Sequence, residues 1–269
     1  MPRPRGRAVE EPGPEADAHE RINVSPDSPW WAEHRSRYHF AVDFCRGKPV
    51  LDVACGTGYG AAVLLDAGAA GVMGVDMSLE ALAQACAMGR ERWGVCQADA
   101  TVLPLADGAV PVVTSFETIE HLQEPERFVG ELRRVLAPDG VLLLSTPNAL
   151  YTKPVNGKPA NPFHVKEFTP AELSSLLAQH FGAVELLGQT PDPRYEVCPY
   201  WQLPEHLPTD PLGRLRVISW KVQSRLPAPV RERVSQIVHG RSFFPGEHGF
   251  AFTESATETG HVLLAVCRP

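Results

Sequence analysis

The chain has 269 residues, 43% of them hydrophobic and 21% charged, with a net charge of −7. That balance fits a soluble globular enzyme of one α/β domain with an insertion, and excludes a disordered or fibrous chain. No run approaches the ~18 apolar residues of a membrane span, and no apolar segment follows the arginines of Met1 to Glu20 to make a secretory signal. The acidic balance argues against a general nucleic-acid binder. Cys45, Cys55, Cys86, Cys96, Cys198 and Cys267 are scattered without a CxxC, so they read as reduced thiols of a cytoplasmic protein.

Residues 1–28 read as a disordered tail, because Pro2, Pro4, Pro12 and Pro14 interrupt any helix and no apolar stripe offsets the ordering entropy. From Trp30 to Cys45 the steps of three and four between Trp30, His34, Tyr38, Ala41 and Phe44 predict a helix. Strands and helices then alternate. Strands are expected at Pro49 to Ala54, Gly71 to Asp76, Gly94 to Ala98, Val110 to Phe116 and Val141 to Ser145. Helices are expected from Gly58 to Ala67, from Ser78 (as N-cap) to Arg90, and from Pro125 until Pro138-Asp139-Gly140 stops it.

A polar loop from Thr146 to Phe168 leads to Thr169-Pro170-Ala171-Glu172, a capping box with proline at the first helical position. A sixth strand is expected at Ala183 to Leu187 and a seventh at His261 to Cys267. The alternation predicts a Rossmann-like α/β fold, a seven-stranded, parallel, doubly wound sheet with ligands at the carboxyl ends of its strands. The expected division is a core over 29–190, a helical cap insertion over 191–251, and the last strand of the core in 252–269. Within the insertion, helices are expected at Leu212 to Leu226 and Pro229 to His239. Asp210 to Arg241 holds seven Lys/Arg and two Asp/Glu, a solvated helix face or an attraction to an anionic substrate or membrane surface. Leu212, Leu215, Ile218 and Val222 form an apolar stripe that could serve a homodimer.

Asp52-Val53-Ala54-Cys55-Gly56-Thr57-Gly58-Tyr59-Gly60 sits where the first strand turns into a helix, and its glycines let backbone approach a ligand. Asp76 ends the second strand eighteen residues after Gly58, a spacing that suits a carboxylate accepting from ribose hydroxyls. A GxGxxG/A pattern could equally belong to an NAD-dependent oxidoreductase. Asp52 tilts the choice, because a carboxylate there would repel a pyrophosphate and suit a ligand with an ammonium group. Asp99, after the third strand, can accept from an adenine amino group.

With these residues the chain resembles the class I S-adenosylmethionine-dependent methyltransferases, from about Trp30 to Thr190 plus the last strand. The resemblance implies S-adenosyl-L-methionine as cofactor. It places the methionine moiety along Asp52, Ala54, Gly56 and Gly58, the ribose at Asp76 beside Met77, the adenine at Asp99 beside Ala100, and the sulfonium near Phe116. The family's first glycine is Ala54 here.

After the fourth strand, Glu117, Glu120 and His121 fall at i, i+3 and i+4, so one helical turn would point all three the same way. Two close carboxylates call for a proton or a cation between them, and an oxygen and imidazole set suits Mg²⁺ or Mn²⁺. His164, in the loop after the fifth strand, is the fourth candidate ligand. The ExxEH with a later His resembles the ubiquinone-biosynthesis O-methyltransferases and the terminal-ribose O-methyltransferases of small RNAs, with no RNA-specific domain in view.

The expected reaction is O-methylation of a hydroxyl on a small molecule such as a sugar, catechol or natural product, with Glu120 and His121 as its catalytic residues. A cation at Glu117, Glu120, His121 and His164 would lower the acceptor's pKa. Without a metal, His121 serves as the base. N-methylation, terminal-ribose methylation of RNA, and a non-catalytic cofactor-binding partner protein stand as alternatives.

Overall fold

The computed structural model describes residues 29–195, 197, 199–201, 205 and 207–269, so the expected tail lies outside the described residues. Helix α1 (Pro29–Cys45) precedes β1 (Pro49–Val53), α2 (Tyr59–Asp66), β2 (Gly71–Asp76), α3 (Leu79–Cys86), β3 (Trp93–Gln97) and β4 (Val110–Phe116). There follow α4 (Pro125–Val135), β5 (Leu136–Pro147), α5 (Ala149–Thr152), α6 (Pro170–Leu177) and β6 (Ala183–Pro191). The insertion carries α7 (Pro211–Gln223) and α8 (Ala228–His239), and the chain closes with β7 (Phe250–Thr253) and β8 (Val262–Arg268).

The strands form one sheet in the order β3-β2-β1-β4-β5-β8-β6-β7. The first five pair in parallel. The expected all-parallel, seven-stranded sheet is corrected in two ways. β8 lies antiparallel between β5 and β6, and an eighth strand, β7, pairs antiparallel with β6 at the edge. β7 has four residues and the burial of a half-exposed edge, too short and too mixed for a period to show in the sequence. The order reverses between β1 and β4, so the carboxyl ends of these two strands flank the crevice where such sheets bind ligands.

Both faces of the sheet are covered. On one, Tyr38, Ala41 and Cys45 of α1 and Ala61, Val63 and Leu64 of α2 pack on Val50, Val112 and Leu143. On the other, Phe128, Val129, Leu132 and Val135 of α4 are fully buried with Leu173 and Leu177 of α6. Each such burial contributes about 1.5–3 kcal/mol, so packing rather than intrinsic propensity holds α4. The capping signals hold: Ser78 accepts from the Ala81 N–H, and Thr169 and Glu172 cap α6 reciprocally. The helix before Pro138 ends at Val135, because Leu136 already pairs with Val110 as the start of a longer β5.

The insertion leans on the core through its aromatics. Trp201 is buried and meets Trp30 and Phe250, while Trp220 stacks on Phe243. The Leu212, Leu215, Ile218 and Val222 stripe faces outward, each residue more than half exposed. The described cysteines are all free thiols.

Gly188 of β6 shows how tightly the antiparallel end is packed. A Cβ there would lie 1.9 Å from the Ala256 carbonyl oxygen, which is backbone and cannot turn aside. Gly188→Ala is expected to destabilise the fold by about 3 kcal/mol, the upper end of overpacking. A urea titration checks this, and a loss below about 1 kcal/mol would contradict it.

Candidate active site

The crevice is built first by the loop after β1. Ala54, Gly56 and Gly58 all have positive φ, of 58°, 54° and 79°. A Cβ on Gly56 would meet nothing within 4 Å, so this face of the loop stands open. Ala54 holds a conformation that an L side chain adopts only at about 1–2 kcal/mol. Ala54→Gly relieves that strain, offset in part by glycine's greater freedom in the unfolded chain. The expected net gain is about 0.5–1 kcal/mol, read from the urea midpoint at constant m. A lowered midpoint would contradict it.

Asp52 is fully buried beneath this loop. Its carboxylate accepts from Thr114 Oγ1 at 2.7 Å and from the Tyr38 hydroxyl at 3.2 Å. Burial pushes its pKa up to about 7, against the pull of those two hydrogen bonds. Asp76 ties the loop to β2: its Oδ2 accepts from the Gly56 N–H at 2.9 Å and its Oδ1 from the Ser78 N–H at 2.8 Å. Met77, beside it, is 66% exposed at the rim. Asp99 accepts from the Thr101 N–H and hydroxyl, which hold its carboxyl below the usual range. Ala100 is buried behind it. Phe116 closes β4 edge-on against Tyr38, with ring centroids 4.9 Å apart.

Beyond Phe116 the chain departs from the expected helical turn. Glu117 has a φ of 54°, and only Ile119–His121 form a short 3₁₀ turn. The three residues therefore do not share one helical turn. Glu117 accepts from Ser145 Oγ at 2.7 Å and lies 3.8 Å from Arg37. Glu120, His121 and His164 do come together: one ligand atom from each lies within 4.8 Å of the others. Glu117, the fourth of the expected ligands, is not one of these three.

Each member of the three is positioned by its neighbours. Glu120 is wholly buried, Oε2 accepting from Thr146 Oγ1 at 2.9 Å. Its Oε1 is buried with no hydrogen-bond partner, 3.9 Å from His121 Nε2. Burial, and then the Glu117 charge, pushes its pKa well above the usual carboxylate range. His121 Nδ1 bonds the Phe163 carbonyl, which requires Nδ1 to carry the proton and turns Nε2 toward Glu120. His164 Nδ1 donates to Glu167 Oε1 at 2.7 Å, and its Nε2 meets the Asn161 amide at 2.9 Å. The Val165 and Lys166 N–H groups both donate to the Glu120 carbonyl, which pins the His164 loop to the turn.

The sequence reading missed a polar cluster on the inner face of α1. Arg37 is 1% exposed and bonds Gln189 Oε1 at 2.9 Å and His34 Nδ1 at 3.0 Å. Glu33 is 1% exposed and bonds His261 Nδ1 at 2.8 Å. The signal was present: Glu33 and Arg37 stand four apart on the face that carries Trp30, Tyr38 and Ala41, where a helix packed on a sheet should be apolar.

A glycine loop after β1, acids ending β2 and following β3, and a sheet in this order define a class of protein. In these features the chain is similar to S-adenosylmethionine-dependent methyltransferases. Residues 51–144 match the family model described as "Methyltransferase domain". Over 154 residues the chain is 38% identical to a probable S-adenosylmethionine-dependent methyltransferase of Mycolicibacterium smegmatis, covering 57% of this chain and 59% of that one. Over 151 residues it is 40% identical to a similarly named protein of Mycobacterium tuberculosis, covering 55% and 53%. The chain thus spans a little over half the length of the curated relatives it matches. In fold it is similar to an S-adenosylmethionine-dependent methyltransferase of Archaeoglobus fulgidus, with a TM-score of 0.57, 14% identity and coverage of 90% and 95%.

Proposed function

We propose that this protein transfers the methyl group of S-adenosyl-L-methionine to a hydroxyl oxygen of a small molecule, such as a sugar, catechol or natural product. The observation that carries the reading is the convergence of Glu120, His121 and His164, the first two following β4, which pairs with β1. An N-methyltransferase has less need of such a set, since an amine loses its ammonium proton far more readily than a hydroxyl loses its own and is then a good nucleophile. A hydroxyl is a poor nucleophile until its proton is removed.

The residues fit a divalent ion such as Mg²⁺ or Mn²⁺. The unpartnered, buried Oε1 of Glu120 needs a proton or a cation. His121 and His164 are each fixed through Nδ1 by an acceptor, as metal-bound histidines commonly are. The Asn161 amide would have to turn from His164 Nε2 to free that atom. An ion held by Glu120, His121 and His164 would supply charge that lowers the acceptor's pKa.

The rest of the work belongs to the chain. Gly56 and Gly58 let the loop approach the methionine moiety, and Asp76 orients the ribose from the far side of the crevice. Phe116 offers an apolar wall near the sulfonium. Alignment of acceptor oxygen, methyl carbon and sulfur by these groups can lower the barrier by ~7–11 kcal/mol. Residues 199–201 lie against α1 and α5, with Tyr151 donating to the Tyr200 carbonyl and Trp30 meeting both Tyr200 and Trp201. That placement supports reading the 191–251 insertion as a cap that selects the acceptor.

Transfer of tritium from [methyl-³H]S-adenosylmethionine to a panel of catechols, glycosides and primary amines tests the reading. Labelled ethers from the hydroxylated members are expected. Label in the amines alone would overturn it.

A further inference from the structure

The three clustered residues leave open which group receives the acceptor's proton. Glu120 is buried, and an ion at this cluster would take up the Nε2 atoms that the Nδ1 hydrogen bonds of His121 and His164 leave over. We propose that His261, held by Glu33, is the base that takes this proton. The proposal rests on the O-methyl transfer argued above.

The geometry is that of a carboxylate–imidazole pair. Glu33 Oε1 lies 2.8 Å from His261 Nδ1, so the carboxylate holds the proton on Nδ1 and presents Nε2 as the acceptor. Trp30 stacks on one face of the ring with centroids 5.5 Å apart, and Tyr151 meets it edge-on at 4.8 Å. These contacts fix the ring while 22% of the side chain stays exposed.

The pair stands on the rim of the same crevice. β8 runs antiparallel to β5, so His261, just before its first residue, sits at the carboxyl end of the parallel strands. The Asn148 N–H donates to the His261 carbonyl and so joins it to the end of β5. Helix α5 bridges the two clusters within four residues: Tyr151 touches His261, and Thr152 bonds Glu167, which orients His164.

The surrounding charges suit a base. His261 is faced by Glu33, His34 and Arg37 from α1, by Glu117 after β4, and by Glu167 beyond α5. Burial alone would lower its pKa, but the Glu33 carboxylate outweighs that and raises it above the ordinary 6.5. Glu33 in turn is held at about 2 in spite of its burial, by His261, Arg37 and His34. An ionised carboxylate in so buried a place is a fixed negative charge behind the imidazole.

The step balances. The acceptor O–H proton passes to Nε2 of His261 as an oxygen lone pair forms the O–CH₃ bond. The C–S bond breaks with its electron pair on sulfur, leaving S-adenosylhomocysteine, and His261 later gives its proton to water.

The test uses the full chain, with turnover followed on a hydroxylated acceptor that the wild type methylates in the panel above. His261→Asn is expected to lower kcat by about 10²–10⁴-fold with little change in S-adenosylmethionine affinity. Glu33→Gln should lower the midpoint of the rising limb of the kcat–pH profile, and also the His261 midpoint in imidazole NMR, and a structural hydrogen bond would move neither together with the other. A kcat within about threefold of wild type for His261→Asn would overturn the proposal, as would a His261 ring protonated at Nε2 rather than Nδ1. If wild type labels amines and no hydroxyl, the O-methyl reading fails and the proposal with it. If wild type labels hydroxyls and His261→Asn does so at a rate within about threefold of it, only the proposal fails.

Discussion

Glutamine at position 120 is expected to cut turnover by about 10²–10⁴-fold while leaving S-adenosylmethionine affinity within about threefold. The substitution keeps the shape of the side chain and an oxygen to accept from Thr146. It removes only the capacity to hold a proton or a cation on Oε1, the atom that lies 3.9 Å from His121 Nε2 without a hydrogen bond. Stability should not fall with activity. Burial and the Glu117 charge raise the carboxyl's pKa in the folded protein, so the fold prefers Glu120 protonated. The contribution is therefore fully present below about 4.5, the unfolded value, and declines as pH rises toward the folded one. Glutamine has no such decline and should be as stable as glutamate, or more so, at neutral pH. Steady-state kinetics, calorimetry with S-adenosylhomocysteine and a melting curve on one preparation separate these effects. Turnover within about threefold of wild type would remove Glu120 from the chemistry.

Asp76→Ala is expected to show the reverse weighting, with cofactor affinity falling by about 10²-fold and turnover at saturating cofactor falling less. Hydrogen bonds to a charged group contribute about 1.5–3 kcal/mol each. Asp76 accepts one from the Gly56 N–H and one from the Ser78 N–H, so it shapes the loop besides the ribose contact proposed for it. Asp76→Asn keeps one acceptor oxygen and should lose less. Calorimetric titration of S-adenosylhomocysteine checks the order wild type, asparagine, alanine. Equal affinity in all three would end the ribose assignment.

Much of the fold was legible because its signals are local. The span of β2 follows from an apolar run that ends in an acid, and that of β4 from a bounded apolar run. The caps at Ser78 and Thr169 are side chain to backbone contacts within three residues. The conformation of the glycine loop after β1 was legible for the same reason, since glycines at fixed offsets report backbone conformation directly. What failed was non-local. The antiparallel placement of β8 depends on which strands it joins, and β7 is defined by its pairing with β6 rather than by its own four residues. Glu117 has a positive φ on a non-glycine residue, which no spacing rule anticipates. Glu33 and His261 stand 228 positions apart and meet only through the fold.

Calorimetric titration of Mn²⁺ into metal-stripped protein saturated with S-adenosylhomocysteine, beside His121→Ala, tests the central claim most directly. The account predicts one binding site that disappears in the variant, since Glu120, His121 and His164 converge within 4.8 Å. No binding to the wild type, or equal binding to both proteins, would contradict the metal-assisted reading and leave His121 as a contact of another kind.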